Sequence, residues 1–374
     1  RVRTNVDSEI SQDDIDMLIR DQRKTYIPPV GDQVIDIVPQ DFAVDSVGYV
    51  VDPIGMSGVK IGANFHIITG DSNAIRNIKR CVDKSNLITR DLVLQPLASA
   101  AAVMNDEDLE AGVAIVDIGG GTTDMAVFYD GILKHTAVIP YAGVNITNDI
   151  RSGLGVLRAQ AEQMKVQFGM ALAEEANTNA YITIPGLRGL PPKEISVKNL
   201  AHIIQARMQE ILDFVMYNLK QIDLDKRLYG GIILTGGGAQ LKHITQLTEF
   251  VTGLGARIGY PNEHLAGGHN DALMNPMYST CIGLILRGYH DYENGKLRYA
   301  GDNGNYIRIT EEELKPLNEE ILSEAEEQEL TEAEEQERAR SRAHDRGEKV
   351  KKLFDGLKWK FMKLFEDVED TEME

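Results

Sequence analysis

The sequence predicts an α/β protein built on layered strands and helices, with a small α+β unit at its start and two charged tails at its end. Three observations carry this. Short apolar runs typical of buried strands alternate with helix-period segments between residues 113 and 290. Two glycine clusters, Gly119-Gly120-Gly121 and Gly236-Gly237-Gly238, each follow one of those runs. The charge is also segregated. Residues 311–338 hold 13 Glu against Lys315 and Arg338, whereas residues 340–363 hold nine Lys or Arg against Asp345, Glu348 and Asp355. Such asymmetry marks functional tails.

Composition narrows the class. With 374 residues and 43% hydrophobic content, the chain can bury the cores of two or three domains. Cys81 and Cys281 are too far apart for metal spacing or a disulfide framework, which fits a reducing compartment. No run reaches the ~18 apolar residues of a spanning helix, and no signal-peptide pattern opens the chain. The net charge of −19 argues against a nucleic-acid partner, which would need a basic face.

The elements follow in order. Residues 13–23 predict a helix, 33–39 a strand, and 59–69 a strand ending at the Gly70-Asp71 turn. Residues 73–82 predict a helix with Ala74, Ile75, Ile78 and Val82 on one face. Residues 92–104 start as a strand and continue as a small-residue helix. Strands follow at 113–117, 124–129 and 132–139, the last two joined at Asp130-Gly131. Helical periodicity fills 144–154, 158–168 and 198–219. A buried strand at 230–234 leads through the second glycine cluster to a helix opening at Leu241, and 274–287 is a last core helix. The core ends near Tyr292. The glutamate-rich stretch after it reads as a mobile linker.

Both glycine clusters suit phosphate, because glycine lets backbone N–H groups approach oxygens that a side chain would hold off. In the first, Asp117 and Asp124 bracket the loop. Asp117, at a strand end, can hold a hydrated Mg²⁺, and Thr122 and Thr123 can donate to phosphate. No Gly-Lys-Ser/Thr follows, so this is not a Walker loop, and the glycines lead into a hairpin, unlike a Rossmann turn. The bland alternative is a glycine hairpin without a ligand.

The pair of loops resembles the phosphate-2 and adenosine motifs of the actin/Hsp70/sugar-kinase superfamily. Within it, the chain resembles the bacterial cell-division family FtsA. The likeness is carried by residues 116–124 (VDIGGGTTD), 135–143 (HTAVIPYAG), 161–165 (AEQMK), 233–238 (ILTGGG) and 278–284 (YSTCIGL), with 66–69 and 95–99 upstream. It runs from about Val6 to Tyr289. The resemblance implies an actin-like (ribonuclease H-like) ATPase fold with the family's own inserted α+β subdomain, SHS2-like, at 1–86. It implies a partial first nucleotide-binding subdomain at 87–112 and 271–290, a second at 113–150 and 229–270, and a small upper one at 151–228. An acidic then basic linker spans 291–349 and an amphipathic membrane-targeting helix 350–368.

Site roles follow from the same resemblance. Asp117 matches the carboxylate that organises metal and water. Gly119, Gly120, Gly121, Thr122 and Thr123 would cradle phosphates, while Glu162 and Lys165 would approach ribose and adenine. Gly236, Gly237, Gly238 and Gln240 would line the adenosine pocket, and Gln95 stands where superfamily ATPases orient the attacking water. Glu162 and Lys165 read equally as an exposed i,i+3 ion pair, and Gln95 as a polar cap at a strand end. The superfamily's first phosphate loop has no match here and the chain opens at Arg1, so the expectation is a fragment of a longer protein.

From Val350, apolar residues recur at Val350, Leu353, Phe354, Leu357, Phe361, Leu364, Phe365 and Val368, the spacing of one helix face. Lys351, Lys352, Lys358, Lys360 and Lys363 border it. Phe and Leu entering the acyl boundary while Lys meets anionic headgroups is the design of an in-plane membrane helix. Packing on the protein's own core is the alternative.

The resulting expectation is an ATP- and Mg²⁺-binding, self-assembling protein with at most weak ATPase activity. It would tether the FtsZ C-terminal tail to anionic lipids on the cytoplasmic face of the bacterial inner membrane, at the division septum. Later division proteins would meet the inserted subdomain, and no nucleic acid is involved. The alternatives are a superfamily phosphotransferase acting on a small substrate and a pilus-assembly relative of FtsA.

Overall fold

A five-stranded sheet in the order β10-β9-β4-β5-β6 forms the centre. Its strands are β4 (Val113–Ile118), β5 (Thr123–Tyr129), β6 (Ile132–Ile139), β9 (Gly231–Thr235) and β10 (Ala256–Ile258). The computed structural model describes residues 1–3, 9–185, 191–261 and 271–293. The acidic and basic tails and the helix expected at 350–368 lie outside these residues. So do all of the membrane positions named above.

Every residue of β4 and β9 is buried, and their parallel pairing explains the continuous apolar runs: both faces are covered. On one face, Val113, Ile115, Ala126 and Ile233 pack against α3 (Gln95–Val103) and α9 (Ser279–Glu293). On the other, Ala114, Val116, Ile118, Met125 and Val127 pack with α5 (Gly143–Leu154), α6 (Arg158–Phe168), α7 (Val197–Gln221) and α8 (Ile244–Thr252). The alanine-rich α3 lets α9 approach so closely that a Cβ at Gly283 would lie 1.7 Å from the Ala98 carbonyl oxygen.

β5 runs antiparallel to both of its neighbours, β4 and β6. Asp130 and Gly131 both adopt positive φ (53° and 73°), the geometry that the Asp-Gly pair predicts for a tight hairpin.

Residues 1–86 carry a second sheet, β2-β1-β3, of β1 (Asp32–Val44), β2 (Val47–Val50) and β3 (Ile61–Asp71). Helix α1 (Gln12–Thr25) buries Ile15 and Leu18 against Phe42, Val44 and Ile61. Arg3 is buried and donates to the carbonyls of Gly58 and Glu9, tying the N-terminal segment down. This unit meets the edge of the central sheet: Gln40 Nε2 donates to the Leu133 carbonyl at 2.8 Å, and His66 Nε2 lies 2.9 Å from Thr136 Oγ1 on β6. Burial and the nearby His135 both lower the His66 pKa, favouring its neutral form.

Several sequence expectations are corrected. β3 runs directly into α2 (Ser72–Lys84) with Asp71 as its N-cap, its side chain accepting from Ala74 N–H, so no turn intervenes. Of the apolar face expected on α2, Ile75 is buried whereas Ile78 is 54% exposed. Residues 92–94 form no strand. The helix expected from Leu241 begins at Ile244, after a 3-10 turn at Gly237–Gln240. The last helix begins at Ser279, after a short 3-10 turn, Pro276–Tyr278, capped by Asn275 and opened by Pro276 at its first position.

Candidate functional site

The register Ile118↔Thr123 between β4 and β5 leaves residues 119–122 as a turn, closed by Gly119 N–H donating to the Thr122 carbonyl at 3.0 Å. The carbonyls of Gly119 and Gly120 accept from Gly143 and Val144 N–H at 3.1 and 2.8 Å. The loop thereby satisfies two of the orphan donors at the start of α5, and α5 pins the loop. A Cβ at Gly120 or Gly121 would meet nothing within 4 Å. Among the described residues no acceptor takes the N–H of either glycine. The outer side of this loop is open, with donors to spare.

Asp117 is 2% exposed. Its Oδ2 accepts from the Ser99 hydroxyl at 2.6 Å and the Thr280 hydroxyl at 3.1 Å, so α3 and α9 both fix the carboxylate. Across the strand pair stands Asp124, which accepts from Thr122 Oγ1 at 2.7 Å. Burial raises the Asp124 pKa, the Asp117 charge adds to this, and the Thr122 hydrogen bond opposes it. The Thr123 hydroxyl donates to the Tyr141 carbonyl at 2.8 Å. Both threonine hydroxyls expected to face phosphate therefore donate inward. Gln95 is the first residue of α3 rather than a strand-end cap, and its Nε2 lies 3.9 Å from the place of a Cβ on Gly119.

The second glycine cluster packs directly on the first strand's end. A Cβ at Gly236 (φ +81°) would fall 2.4 Å from Asp117 Oδ1 and 2.7 Å from the Ile118 carbonyl oxygen. One at Gly238 would fall 2.3 Å from Ile118 Cγ2, while Gly237 faces open space. Gln240 is exposed and accepts from Asn275 Nδ2 at 2.9 Å. Since α8 starts at Ile244, its N-terminus does not abut the glycine run.

On α6, Lys165 and Glu162 form an ion pair at 2.9 Å that is more than a surface pair. Lys165 also donates to the Gly143 carbonyl and to Thr147 Oγ1, each at 3.0 Å, and Thr147 donates to Glu162. Burial would raise the Glu162 pKa. The Thr147 and Lys165 hydrogen bonds, with the charges of Lys165 and Arg158, outweigh it and hold the pKa low. This network locks α6 to the start of α5, beside the phosphate-type loop. Gly120, Val144, Arg158, Ala159, Glu162 and Lys165 together line a cavity of about 550 Å³. Residues far apart in sequence, 120 and 162–165, thus meet around one space.

Ser99, Thr280, Val144 and Arg158 were not singled out by the sequence. Ser99 and Thr280 lie within two of the segments that carry the resemblance, 95–99 and 278–284, and a hydroxyl in each was the signal that could have marked them. Among the described residues no group of three or more metal-binding side chains occurs, and no helix is long and apolar enough to cross a membrane.

Comparison with known proteins gives these features a family. The family model described as cell division protein FtsA matches residues 114–283, and that of the SHS2 domain inserted in FtsA matches residues 1–69. The chain is 39% identical over 280 residues to the cell division protein FtsA of Neisseria meningitidis, covering 75% of this chain and 67% of that protein. It is 36% identical to the FtsA of Pseudomonas aeruginosa (77% and 69% covered) and 33% identical to that of Escherichia coli K12 (81% and 74%). Among solved structures, MreB5 of Spiroplasma citri bound to ADP superposes with a TM-score of 0.50 at 20% identity, covering 61% of this chain and 69% of that one. The PilM-PilN type IV pilus biogenesis complex superposes with a TM-score of 0.53 at 16% identity, covering 75% and 74%. Those two likenesses establish the actin-like fold. The chain belongs to the FtsA family of bacterial cell-division proteins.

Proposed function

We propose that this chain binds ATP between the Gly119–Gly121 loop and α6, assembles with itself, and tethers FtsZ filaments to the cytoplasmic membrane at the division septum. The observation that supports the nucleotide part is the shared cavity of Gly120, Glu162 and Lys165. A polyanion fits there: the open side of Gly120 and Gly121 offers backbone N–H donors and leaves room for oxygens. These donors, rather than the inward-turned Thr122 and Thr123 hydroxyls, would hold the phosphates. Mg²⁺ would sit near Asp117 through water, as suits an ion that keeps much of its hydration shell. Bound ATP supplies an anion that bridges the loop and α6, and so biases how the two subdomains sit. Gln95 beside Gly119, with Asp117, supports at most weak hydrolysis. The adenosine end would be completed by Gly237 and Gln240.

Membrane attachment rests on the stripe from Val350 to Val368. Each near-surface lysine adds about 1 kcal/mol on an anionic leaflet. The FtsZ tail would engage the upper subdomain at 151–228, and later division proteins the unit at 1–86. Family membership favours this adaptor over the phosphotransferase and pilus-assembly alternatives.

The test is co-sedimentation of FtsZ filaments with anionic liposomes, using the chain with and without residues 350–374. Recruitment that needs the terminal segment is the expected result. FtsZ left in the supernatant would sink the adaptor reading. Leu357→Glu should abolish liposome binding without loss of fold, and undiminished binding would remove the apolar stripe from the membrane contact.

A further inference from the structure

Helix α2 is nearly bare. Of its 13 residues only Ile75 is buried, and its exposed positions carry Arg76, Lys79, Arg80 and Lys84 against Asp83. Arg76, Arg80 and Lys84 stand at i, i+4 and i+8, a ridge along one face. Among the described residues Lys79, Arg80 and Lys84 make no hydrogen bond or ion pair. Arg76 donates only to neutral acceptors, the Ser72 carbonyl and Asn73 Oδ1. In a chain of net charge −19, this ridge is basic and has no counter-charge from the fold.

The way α2 ends decides what would meet it. Asn86 takes a left-handed turn (φ 57°), so that its N–H reaches the Asp83 carbonyl at 3.0 Å and Leu87 N–H the Val82 carbonyl at 3.2 Å. This cap sets Leu87 and Ile88 at the helix end, 63% and 79% exposed. Lys84 precedes them in the chain and the exposed Arg90 follows. An acidic peptide would satisfy the ridge and leave both apolar side chains in water. An anionic bilayer takes both features, with headgroups on the cations and the acyl boundary around Leu87 and Ile88.

We propose that α2 and the turn after it form a second membrane contact, a surface for anionic lipid that orients the inserted unit on the bilayer. This rests on the membrane attachment proposed above but uses a different part of the chain. A few surface charges hold a bilayer weakly by themselves and are screened by salt. Attachment elsewhere in the chain raises their effective concentration at the lipid surface, so the contact sets orientation more than retention. Loss of the terminal stripe therefore still releases the chain.

The test uses the full chain with a fluorophore on Cys81, the exposed cysteine of α2, after Cys281→Ser has removed the other thiol. Energy transfer to an acceptor lipid in phosphatidylglycerol-rich vesicles is read beside co-sedimentation, with fold checked by circular dichroism. Strong transfer is expected at low salt, fading at high salt. Arg80→Gln combined with Lys84→Gln should lose most of that transfer and bind about tenfold more weakly. Ile88→Glu should lower transfer with the ridge intact. A chain that sediments without transfer from Cys81, or unchanged transfer in the double variant, would overturn the proposal. The first of these is also what a ridge serving an acidic protein predicts. A parent that does not sediment with the vesicles would remove the attachment reading, and this proposal with it, before any substitution in α2 is compared.

Discussion

The turn after β4 and the turn after β9 sit side by side at one end of the sheet, where Asp117 and Thr235 pair in parallel register. In sequence they look alike, three glycines after a buried strand. In space their glycines face different things. Gly120 and Gly121 look onto open space with uncommitted N–H groups, whereas Gly236 and Gly238 are pressed against Asp117 and Ile118. The first loop is glycine so that something else can approach. The second is glycine largely because β4 is already there. A glycine run therefore carries two messages, ligand access and close packing, and composition alone does not separate them.

The contrast can be broken by substitution. The largest effect should come from Gly236→Ala, which adds a Cβ at positive φ against a backbone carbonyl. It should cost about 3 kcal/mol or more, read as a fall in Tm of roughly 6–12 °C. A variant as stable as the parent would show that the second loop is no tighter than the first. Next is Ser99→Ala, which removes the shorter of the two hydrogen bonds to the buried Asp117 carboxylate. A loss of about 1–3 kcal/mol is expected in urea unfolding, and a neutral outcome would show that Thr280 alone suffices.

Smallest is Asp124→Asn. Because the folded pKa of Asp124 is raised, the folded state holds its proton more tightly than the unfolded chain. Its contribution therefore declines as pH rises from about 3.8, its unfolded value, through the raised folded value. Removing that charge while keeping an acceptor for Thr122 should raise Tm at pH 7 by about 2 °C and flatten the acid limb. An equal drop in Tm at all pH values would contradict this assignment.

What the sequence could show follows from how strongly each segment is dictated. β6 and α6 begin and end where the pattern predicts, β6 opening after the Asp130-Gly131 turn and α6 closing at Gly169. The hairpin β7 (Tyr181–Ile184) and β8 (Lys193–Ser196) was missed: most of its residues lie outside the core, so neither strand alternates clearly. The helix α4 (Asp106–Ala111), with its three leading acidic residues, and the short edge strands β2 and β10 were missed for the same reason. Leu241 was taken into α8 because it is apolar, yet it belongs to the turn that seats the second glycine loop. At the site, glycine spacing and the Glu162/Lys165 pair were readable. Hydroxyl direction was not: nothing local tells that Thr123 donates to Tyr141 or that Ser99 reaches Asp117. Nor could sequence show that Lys165 is spent internally, since its partners Gly143 and Thr147 come from α5 folding against α6.

The most direct measurement is the affinity of the chain for ADP beside that of Gly120→Ala, with Tm recorded for both. The account predicts binding by the parent, about tenfold weaker binding by the variant, and the same Tm, because a Cβ at Gly120 enters the ligand's space and no other. Equal affinity in the two, or no binding by the parent, would contradict it.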